Sequence, residues 1–157
     1  MKQQKIPPKT GYRLPSSDEW EYTARYRSDN TNVVDDAAYT NPWFTKGDSA
    51  SGAIANYTDI PACHAVGFYS GSVPTPSDEA VVKSLGVNSA NALGLYDMSG
   101  NVLEWCFAED SPVPLNRINR GGCWSWSAYN MRVSSLTFSY PDYEYTDLGF
   151  RLCRTGD

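Results

Sequence analysis

The stretch that decides the fold of this chain is residues 91–105, which read Asn-Ala-Leu-Gly-Leu-Tyr-Asp-Met-Ser-Gly-Asn-Val-Leu-Glu-Trp. Two short apolar runs flank the Ser-Gly-Asn sequence at residues 99–101, and Gly and Asn accept the backbone conformations that a tight turn requires. The second run, residues 102–106, is rich in strand-forming residues. The stretch therefore predicts a turn followed by a strand.

One helix is predicted upstream of this stretch, over about residues 16–27. Pro15 ends the preceding segment, and Ser16 and Glu19 have the spacing of a capping box, in which both side chains satisfy N–H groups at the start of a helix. Trp20 and Ala24 lie four residues apart, so we expect them to share one face of the helix.

The rest of the chain predicts short strands and long connections. Residues 28–62 lack sustained periodicity and are predicted as long loops, and residues 74–79 as a turn or the start of a short helix. Residues 117–124 predict a strand, a close backbone approach at Gly121 and Gly122, and a second strand. Residues 148–154 alternate apolar and polar, as a final half-buried strand would. The pattern as a whole gives an irregular α+β domain.

Composition and charge exclude several classes of protein. Thirteen basic and eighteen acidic residues give a net charge of −5, which argues against a nucleic-acid partner. The apolar runs are too short for a membrane span, and the start of the chain lacks the apolar core of a secretory signal, so surface or virion display would need a longer or exported product. A single histidine, His64, excludes a site built from several imidazoles. The four cysteines lack metal-ligand spacing: Cys63, Cys106, Cys123 and Cys153.

Four segments together resemble the formylglycine-generating, sulfatase-modifying domains, a branch of the C-type lectin fold. The segments are residues 12–22, 91–105, 120–124 and 149–152, and their order and spacing are typical of that family. The resemblance implies a loop-rich α+β fold with few short strands and one or two helices. We expect residues 1–157 to form a single domain of this type, with residues 1–11 as a lead-in.

The oxidases of this family use a pair of cysteines shortly after the Gly-Gly motif, which binds copper and oxidises a substrate cysteine. Alignment on Gly121 and Gly122 places Trp126 and Met131 at those positions, and neither side chain supplies a thiolate. The iron-dependent relatives need several histidines. We therefore predict that the protein is not an enzyme and requires no cofactor; an oxidase of the formylglycine-generating type, or a degenerate sulfatase-modifying domain, is the alternative.

A lectin-type fold without these cysteines resembles the variable proteins of diversity-generating retroelements, whose C-terminal segment is rewritten by adenine-specific mutagenesis. Residues 125–147 correspond to that segment and hold six aromatic residues and five serines. Tyrosine offers stiff amphipathic contact area and serine offers small hydrogen-bonding groups, as in adaptable paratopes. The predicted ligand-binding residues are Ser125, Trp126, Ser127, Tyr129, Asn130, Phe138, Tyr140, Asp142, Tyr143, Tyr145 and Asp147.

The codons add modest support to this interpretation. Adenine mutagenesis of an Asn codon ending in C reaches most of the residue types in the segment. The residues outside the reachable set are Trp126, Met131 and Glu144.

The alternative for the aromatic residues is an ordinary core. Trp124 and Phe150 belong to the shared fold motifs and are predicted to be core. Exposure is predicted for four tyrosines, because their neighbours are polar and because tyrosine hydroxyls require water or a partner. They are Tyr129, Tyr140, Tyr143 and Tyr145.

A structural calcium ion is a further expectation from the resemblance. Its ligands would be the side chains of Asn101 and Glu104 with the carbonyls of Ser99 and Val102, since Ca²⁺ takes about six to eight oxygens. The alternative is that Asn101 occupies a positive-φ turn position and Glu104 pairs with a buried arginine. The candidate arginines are Arg120 and Arg151.

The sequence thus predicts a non-enzymatic display protein whose segment 125–147 binds a protein or cell-surface ligand, with tyrosine and tryptophan as anchors. A structural interaction domain within a larger assembly is a second alternative.

Overall fold

The computed structural model of the protein describes residues 11–34, 43–70, 88–107 and 115–155. In chain order its elements are β1 (Gly11–Arg13), α1 (Ser17–Arg25), β2 (Tyr26–Arg27), β3 (Trp43–Phe44), α2 (Ile60–His64), β4 (Leu103–Trp105), β5 (Arg117–Arg120), a 3-10 helix (Ala128–Met131), β6 (Leu136–Ser139), β7 (Leu148–Phe150) and β8 (Cys153–Thr155). The longest described helix, α1, has nine residues, and none of the described helices could span a bilayer.

Helix α1 confirms the predicted capping box. The Ser16 hydroxyl accepts from the N–H of Glu19 at 3.1 Å, and the Glu19 carboxylate accepts from the N–H of Ser16 at 2.8 Å. The helix ends at Arg25 rather than near residue 27, because Tyr26 takes an extended backbone and begins β2. Trp20 and Ala24 are both buried on its inner face, as predicted.

One four-stranded sheet, in the order β6-β5-β4-β7, supports the C-terminal half of the chain. β4 pairs antiparallel with β5 and parallel with β7, and β5 pairs antiparallel with β6. β4 lies within the strand predicted for residues 102–106. Two smaller antiparallel pairs complete the sheets: β1 with β8, and β2 with β3.

The two faces of this sheet have different surroundings. Ile118 packs in a core cluster with Trp20 of α1, and Arg120 donates to Glu21 of the same helix at 2.8 Å. Side chains alternate between the two faces along each strand, and residues that are paired across strands share a face. The register therefore assigns the remaining residues to the face that points away from α1, which we call the distal face. The distal face carries Leu103, Trp105, Arg117, Asn119, Thr137, Ser139, Leu148 and Phe150.

Among the residues that the structure describes, the apolar core consists of two clusters. The first joins α1 to the sheet and contains Trp20, Ala24, Met98, Cys106, Ile118 and Val133. The second joins α2 to the 3-10 helix and contains Ala50, Ala53, Cys63, Val66, Tyr69, Ala128 and Met131.

The second strand predicted after the double glycine is wrong. Gly121 and Gly122 both have positive φ, +91° and +69°, so β5 ends there, and the Trp126 N–H donates to the Cys123 carbonyl at 3.1 Å to close a turn. A Cβ on Gly122 would overlap the terminal methyl of Met131, which explains the close approach predicted at this position. Trp124 is half-buried rather than fully in the core.

The single final strand predicted for residues 148–154 is also wrong, since β7 and β8 belong to different sheets. Phe150 was expected in the core but is 66% exposed, because it alternates with Gly149 and leaves the edge strand on the distal face. Arg151 turns inward in its place. Residues 28–62 contain β3 and the start of α2 as well as loops, and the prediction for residues 74–79 lies outside the described residues.

Candidate ligand-binding face

The predicted variable segment, residues 125–147, runs from the turn after Gly122 to the start of β7. On its 3-10 helix, Ala128 and Met131 pack in the second core cluster, and Met131 is fully buried. Tyr129 on the same helix is 51% exposed. The segment is thus anchored by a few buried side chains and presents others to solvent.

Two adjoining cavities of about 310 Å³ each lie against the distal face. They share Leu103, Trp126 and Thr137 as lining residues and so form one groove, which we call the binding groove. The first extends toward Arg132 and is named the arginine cavity; the second extends toward Tyr145 and is named the tyrosine cavity. This volume is at the lower end for ligand sites and suits one side chain or one ring of a larger ligand.

The four tyrosines predicted to be exposed are exposed. Their exposed fractions are 51% for Tyr129, 53% for Tyr140, 43% for Tyr143 and 54% for Tyr145. Tyr143 and Tyr145 lie side by side along the tyrosine cavity with ring centroids 4.4 Å apart. A side-chain hydrogen bond with Tyr143 raises the pKa of the Tyr145 phenol, so this phenol is neutral at physiological pH.

Trp126 and Phe138 serve both the core and the groove. Trp126 packs against the second core cluster and Phe138 against the first, and both line the tyrosine cavity. Asn130 is half-buried in the wall of the arginine cavity. The remaining predicted contact residues are exposed outside these two cavities: Ser127, Tyr140 and Asp142. That any of these residues contacts a ligand stays a prediction.

The two ends of the segment meet at a small polar cluster, which we call the clasp: Cys123, Ser125 and Asp147. The Ser125 hydroxyl donates to the Asp147 carboxylate at 3.1 Å, and the Cys123 thiol donates to the same oxygen at 3.3 Å. Burial raises the pKa of the Cys123 thiol to about 11, so it stays protonated and acts as a donor. The clasp thus joins the two ends of residues 125–147 to each other.

Arg132 is a groove residue that the sequence predictions missed. Its guanidinium carbon lies 3.6 Å from the centroid of the Tyr129 ring and 5.6 Å from that of Tyr57, and its Nε donates to the Tyr129 carbonyl at 2.7 Å. The two tyrosine rings meet edge to face at 5.4 Å. The available signal was that Arg132 is the one basic residue between positions 125 and 147.

Asn119 was also missed. It belongs to the wall of the arginine cavity and is fully buried, and neither atom of its side-chain amide has a hydrogen-bond partner. Buried amides without partners are rare in folded proteins. A position in mid-strand gave no sequence signal, because only the strand pairing places Asn119 on the distal face.

The side chains predicted to bind calcium have contacts within the protein. Asn101 has a φ of +65°, as the turn alternative requires. Glu104 is buried and accepts from Arg151 at both carboxylate oxygens, at 2.7 and 3.0 Å, and from the Trp20 indole at 2.8 Å. Arg120 pairs instead with Glu21. These contacts match the alternative, in which Asn101 occupies a turn and Glu104 pairs with Arg151; calcium binding itself stays a prediction.

In the described part of the chain, few short strands, two helices and long connecting loops around a four-stranded sheet define a C-type lectin-like fold of the formylglycine-generating type. The model of the sulfatase-modifying factor enzyme 1-like domain matches residues 2–156, so the chain belongs to that family. The resemblance predicted from the four sequence segments is therefore confirmed.

The relatives differ in what their names describe. A chaperone protein named LppX from Paenibacillus barcinonensis is 31% identical over 83% of this chain and 43% of its own length. An inactive C-alpha-formylglycine-generating enzyme 2 from Bos taurus is 30% identical over 93% of this chain and 44% of its own length. The solved structure of Treponema denticola variable protein 1 superposes with a TM-score of 0.62 and 26% identity, covering 91% of this chain and 47% of that one. The chain thus spans somewhat less than half the length of these relatives.

Proposed function

We propose that this protein is a non-enzymatic binding protein whose ligand contacts the binding groove and the exposed tyrosines of residues 125–147. The observation that carries the proposal is that the segment is fixed at both ends by the clasp while four of its tyrosines are 43–54% exposed. Residues on a loop held by a rigid scaffold can change without loss of the core. Tyrosine is suited to such contacts because it adds large area at low entropic cost.

The thiols of the chain support a non-catalytic role. Oxidation chemistry at cysteine requires a thiolate. Burial raises the pKa of Cys106 to about 12 and that of Cys123 to about 11. Trp126 and Met131, which the sequence alignment places at the oxidase cysteine positions, both pack in or against the second core cluster. The existence of a relative named as an inactive enzyme agrees with this interpretation.

Similarity to Treponema denticola variable protein 1 supports the further proposal that residues 125–147 are diversified by a retroelement. The test is the neighbouring DNA. We expect a near-copy of the codons for about residues 120–154 that differs only at adenines, beside a reverse-transcriptase gene. A complete genome that lacks both would overturn the retroelement origin.

Ligand binding is tested by selecting binders from a random peptide display library against the protein. We expect selected peptides to lose at least tenfold in affinity when Tyr145 is changed to Ser. Tyr12→Ser is the matched control, since Tyr12 is 72% exposed but lies on β1, outside the segment. If the affinity of the selected peptides fell equally for both substitutions, or for neither, the proposed contact surface would be contradicted.

The oxidase alternative is tested by copper-dependent oxidation of a cysteine-containing peptide. We expect no turnover above the copper-only control. Turnover that depends on the protein would overturn the non-enzymatic proposal.

A further inference from the structure

Arg132 is held in a fixed orientation in the wall of the arginine cavity. Its guanidinium stacks on Tyr129 at 3.6 Å, and its Nε is occupied by the Tyr129 carbonyl at 2.7 Å. Stacking sets the plane of the group, and the Nε bond sets its rotation within that plane. The edge formed by the two terminal nitrogens is the edge left for another partner.

This edge has no acidic partner in the described part of the chain. The ion pairs there engage five other arginines: Arg13, Arg25, Arg27, Arg120 and Arg151. Arg120 also belongs to the wall of the arginine cavity, but its guanidinium already donates hydrogen bonds to Glu21, the Ser17 hydroxyl and two backbone carbonyls. Arg132 is therefore the cation of this cavity that remains available to a ligand.

The opposite end of the binding groove carries the reverse charge. Asp147 lines the tyrosine cavity, and Glu144 lies between the two cavity tyrosines in the sequence. An acidic group on a ligand is therefore better accommodated in the arginine cavity, which none of the described acidic residues lines, than in the tyrosine cavity, which Asp147 lines.

We propose that the arginine cavity binds a carboxylate, which accepts two hydrogen bonds from the terminal nitrogens of Arg132. This inference rests on the proposed function, because it names the chemistry of the ligand at the same face. A planar guanidinium edge matches the two oxygens of a carboxylate, and a volume of about 310 Å³ suits one acidic side chain or one chain terminus. The unpartnered amide of Asn119 belongs to a residue in the wall of the same cavity.

Three probe peptides of equal length test the proposal on the intact chain. The first has one internal Glu and an amidated C-terminus, the second has Gln instead and a free C-terminal carboxylate, and the third has Gln and an amidated C-terminus. Binding is followed by NMR at the side-chain Nε of Arg132 and the indole N–H of Trp126. We expect one or both acidic probes to bind at least tenfold more tightly than the neutral probe, and their ranking identifies the source of the carboxylate. Equal binding of all three probes would overturn the proposal.

Two substitutions separate charge from geometry. Arg132→Gln should abolish the preference for acidic probes, and Arg132→Lys should retain only part of it, because a point charge lacks the planar edge. Arg117→Gln is the matched control: this exposed arginine of β5 also has no acidic partner among the described residues. An unchanged preference in Arg132→Gln, or an equal loss in Arg117→Gln, would contradict the assignment. The comparison of probes on the unaltered protein needs no variant and stands if a variant fails to fold.

The outcomes also distinguish this inference from the proposed function. If library-selected peptides depend on Tyr145 but the probes show no preference for acid, only the carboxylate assignment fails. If the acidic probes bind through Arg132 but no selected peptide depends on Tyr145, the cavity assignment holds and the proposed contact surface fails.

Discussion

Ser125 and Asp147, the first and last residues of the predicted variable segment, are joined by a hydrogen bond of 3.1 Å between Oγ and Oδ2. The backbone carbonyl of Asp147 also accepts from the N–H of Leu103 at 2.8 Å, which ties the same point to β4. The two ends of the segment therefore meet at one place beside β4. Between them, exposed side chains can differ while the buried residues of the 3-10 helix and the pairing of β6 with β5 hold the backbone.

The clasp predicts a specific effect of Asp147→Ala. We expect the free energy of unfolding to fall by about 1 kcal/mol, or Tm by about 2–4 °C. The reason is that the partly exposed Ser125 and the weak thiol donor of Cys123 each lose one acceptor. Hydrogen exchange at the Leu103 amide should also become faster. Asp142→Ala is the control, since Asp142 is exposed in the same loop. An equal fall in Tm for both variants would show that the clasp contributes nothing specific.

The double-glycine turn predicts a large difference between two glycine substitutions. Gly122 and Gly94 have similar positive φ values, +69° and +73°, so Ala is strained at both by about 1–2 kcal/mol. A Cβ at Gly122 would also overlap Met131 and lie 2.7 Å from the Asn130 carbonyl, whereas a Cβ at Gly94 has no heavy atom within 4 Å. We expect Gly122→Ala to lower the free energy of unfolding, measured in urea, by about 1–3 kcal/mol more than Gly94→Ala does. Similar losses in the two variants would contradict the described packing of the 3-10 helix.

The buried pair of Glu104 and Arg151 predicts strong destabilisation by Glu104→Gln. The side chain of Glu104 is 8% exposed and that of Arg151 is 27% exposed, so removal of the negative charge leaves a poorly hydrated cation. We expect a loss of about 3–5 kcal/mol in the free energy of unfolding. Glu21→Gln offers a milder comparison, because its carboxylate is 27% exposed and shared between Arg25 and Arg120. A loss below about 1 kcal/mol for Glu104→Gln would contradict the pairing.

Stability should fall in acid partly through Glu19. Its side-chain hydrogen bond with Arg13 lowers the pKa of Glu19 to about 2 from 4.5. Because the folded-state pKa is the lower one, this contribution is present above pH 4.5 and is lost as the pH falls toward 2. We expect only about 1 kcal/mol, since the side chain is 47% exposed and screened by solvent. The unfolding free energies of the wild type and Glu19→Gln should converge on acidification in this window; a constant difference would contradict the shift.

The predicted calcium site is tested by thermal unfolding with and without a chelator. The pairing of Glu104 with Arg151, taken alone, predicts an unchanged midpoint. A ligand that binds the folded state must raise the midpoint. A fall of several degrees on chelation, reversed by added Ca²⁺ and absent in Asn101→Ala, would instead favour the ion.

Several features could be predicted because they depend on neighbouring residues. Ser16 and Glu19 are three residues apart and cap α1 through local geometry, and the Ser-Gly-Asn turn requires positive φ at positions where Gly100 and Asn101 supply it. The exposure of four tyrosines followed from their polar neighbours. The family followed from the order of four motifs.

Other features could not be predicted because they depend on which strands pair. Phe150 and Arg151 alternate as a half-buried strand would, yet the phenylalanine is exposed and the arginine is turned toward Glu104, since β7 is an edge strand whose distal face is open. Asn119 is buried for the same reason: its neighbours on β4 and β6 decide its face.

The sequence by itself determined the capped helix, the positive-φ turns and the aromatic, serine-rich character of residues 125–147, because these depend on side chains within a few positions of each other. Only the tertiary structure decided that Ser125 meets Asp147, that Arg132 lies over the ring of Tyr57, and that Glu104 is held by Arg151. These contacts join residues or surfaces that strand pairing and chain reversal bring together, and their free energy depends on burial that no local pattern encodes.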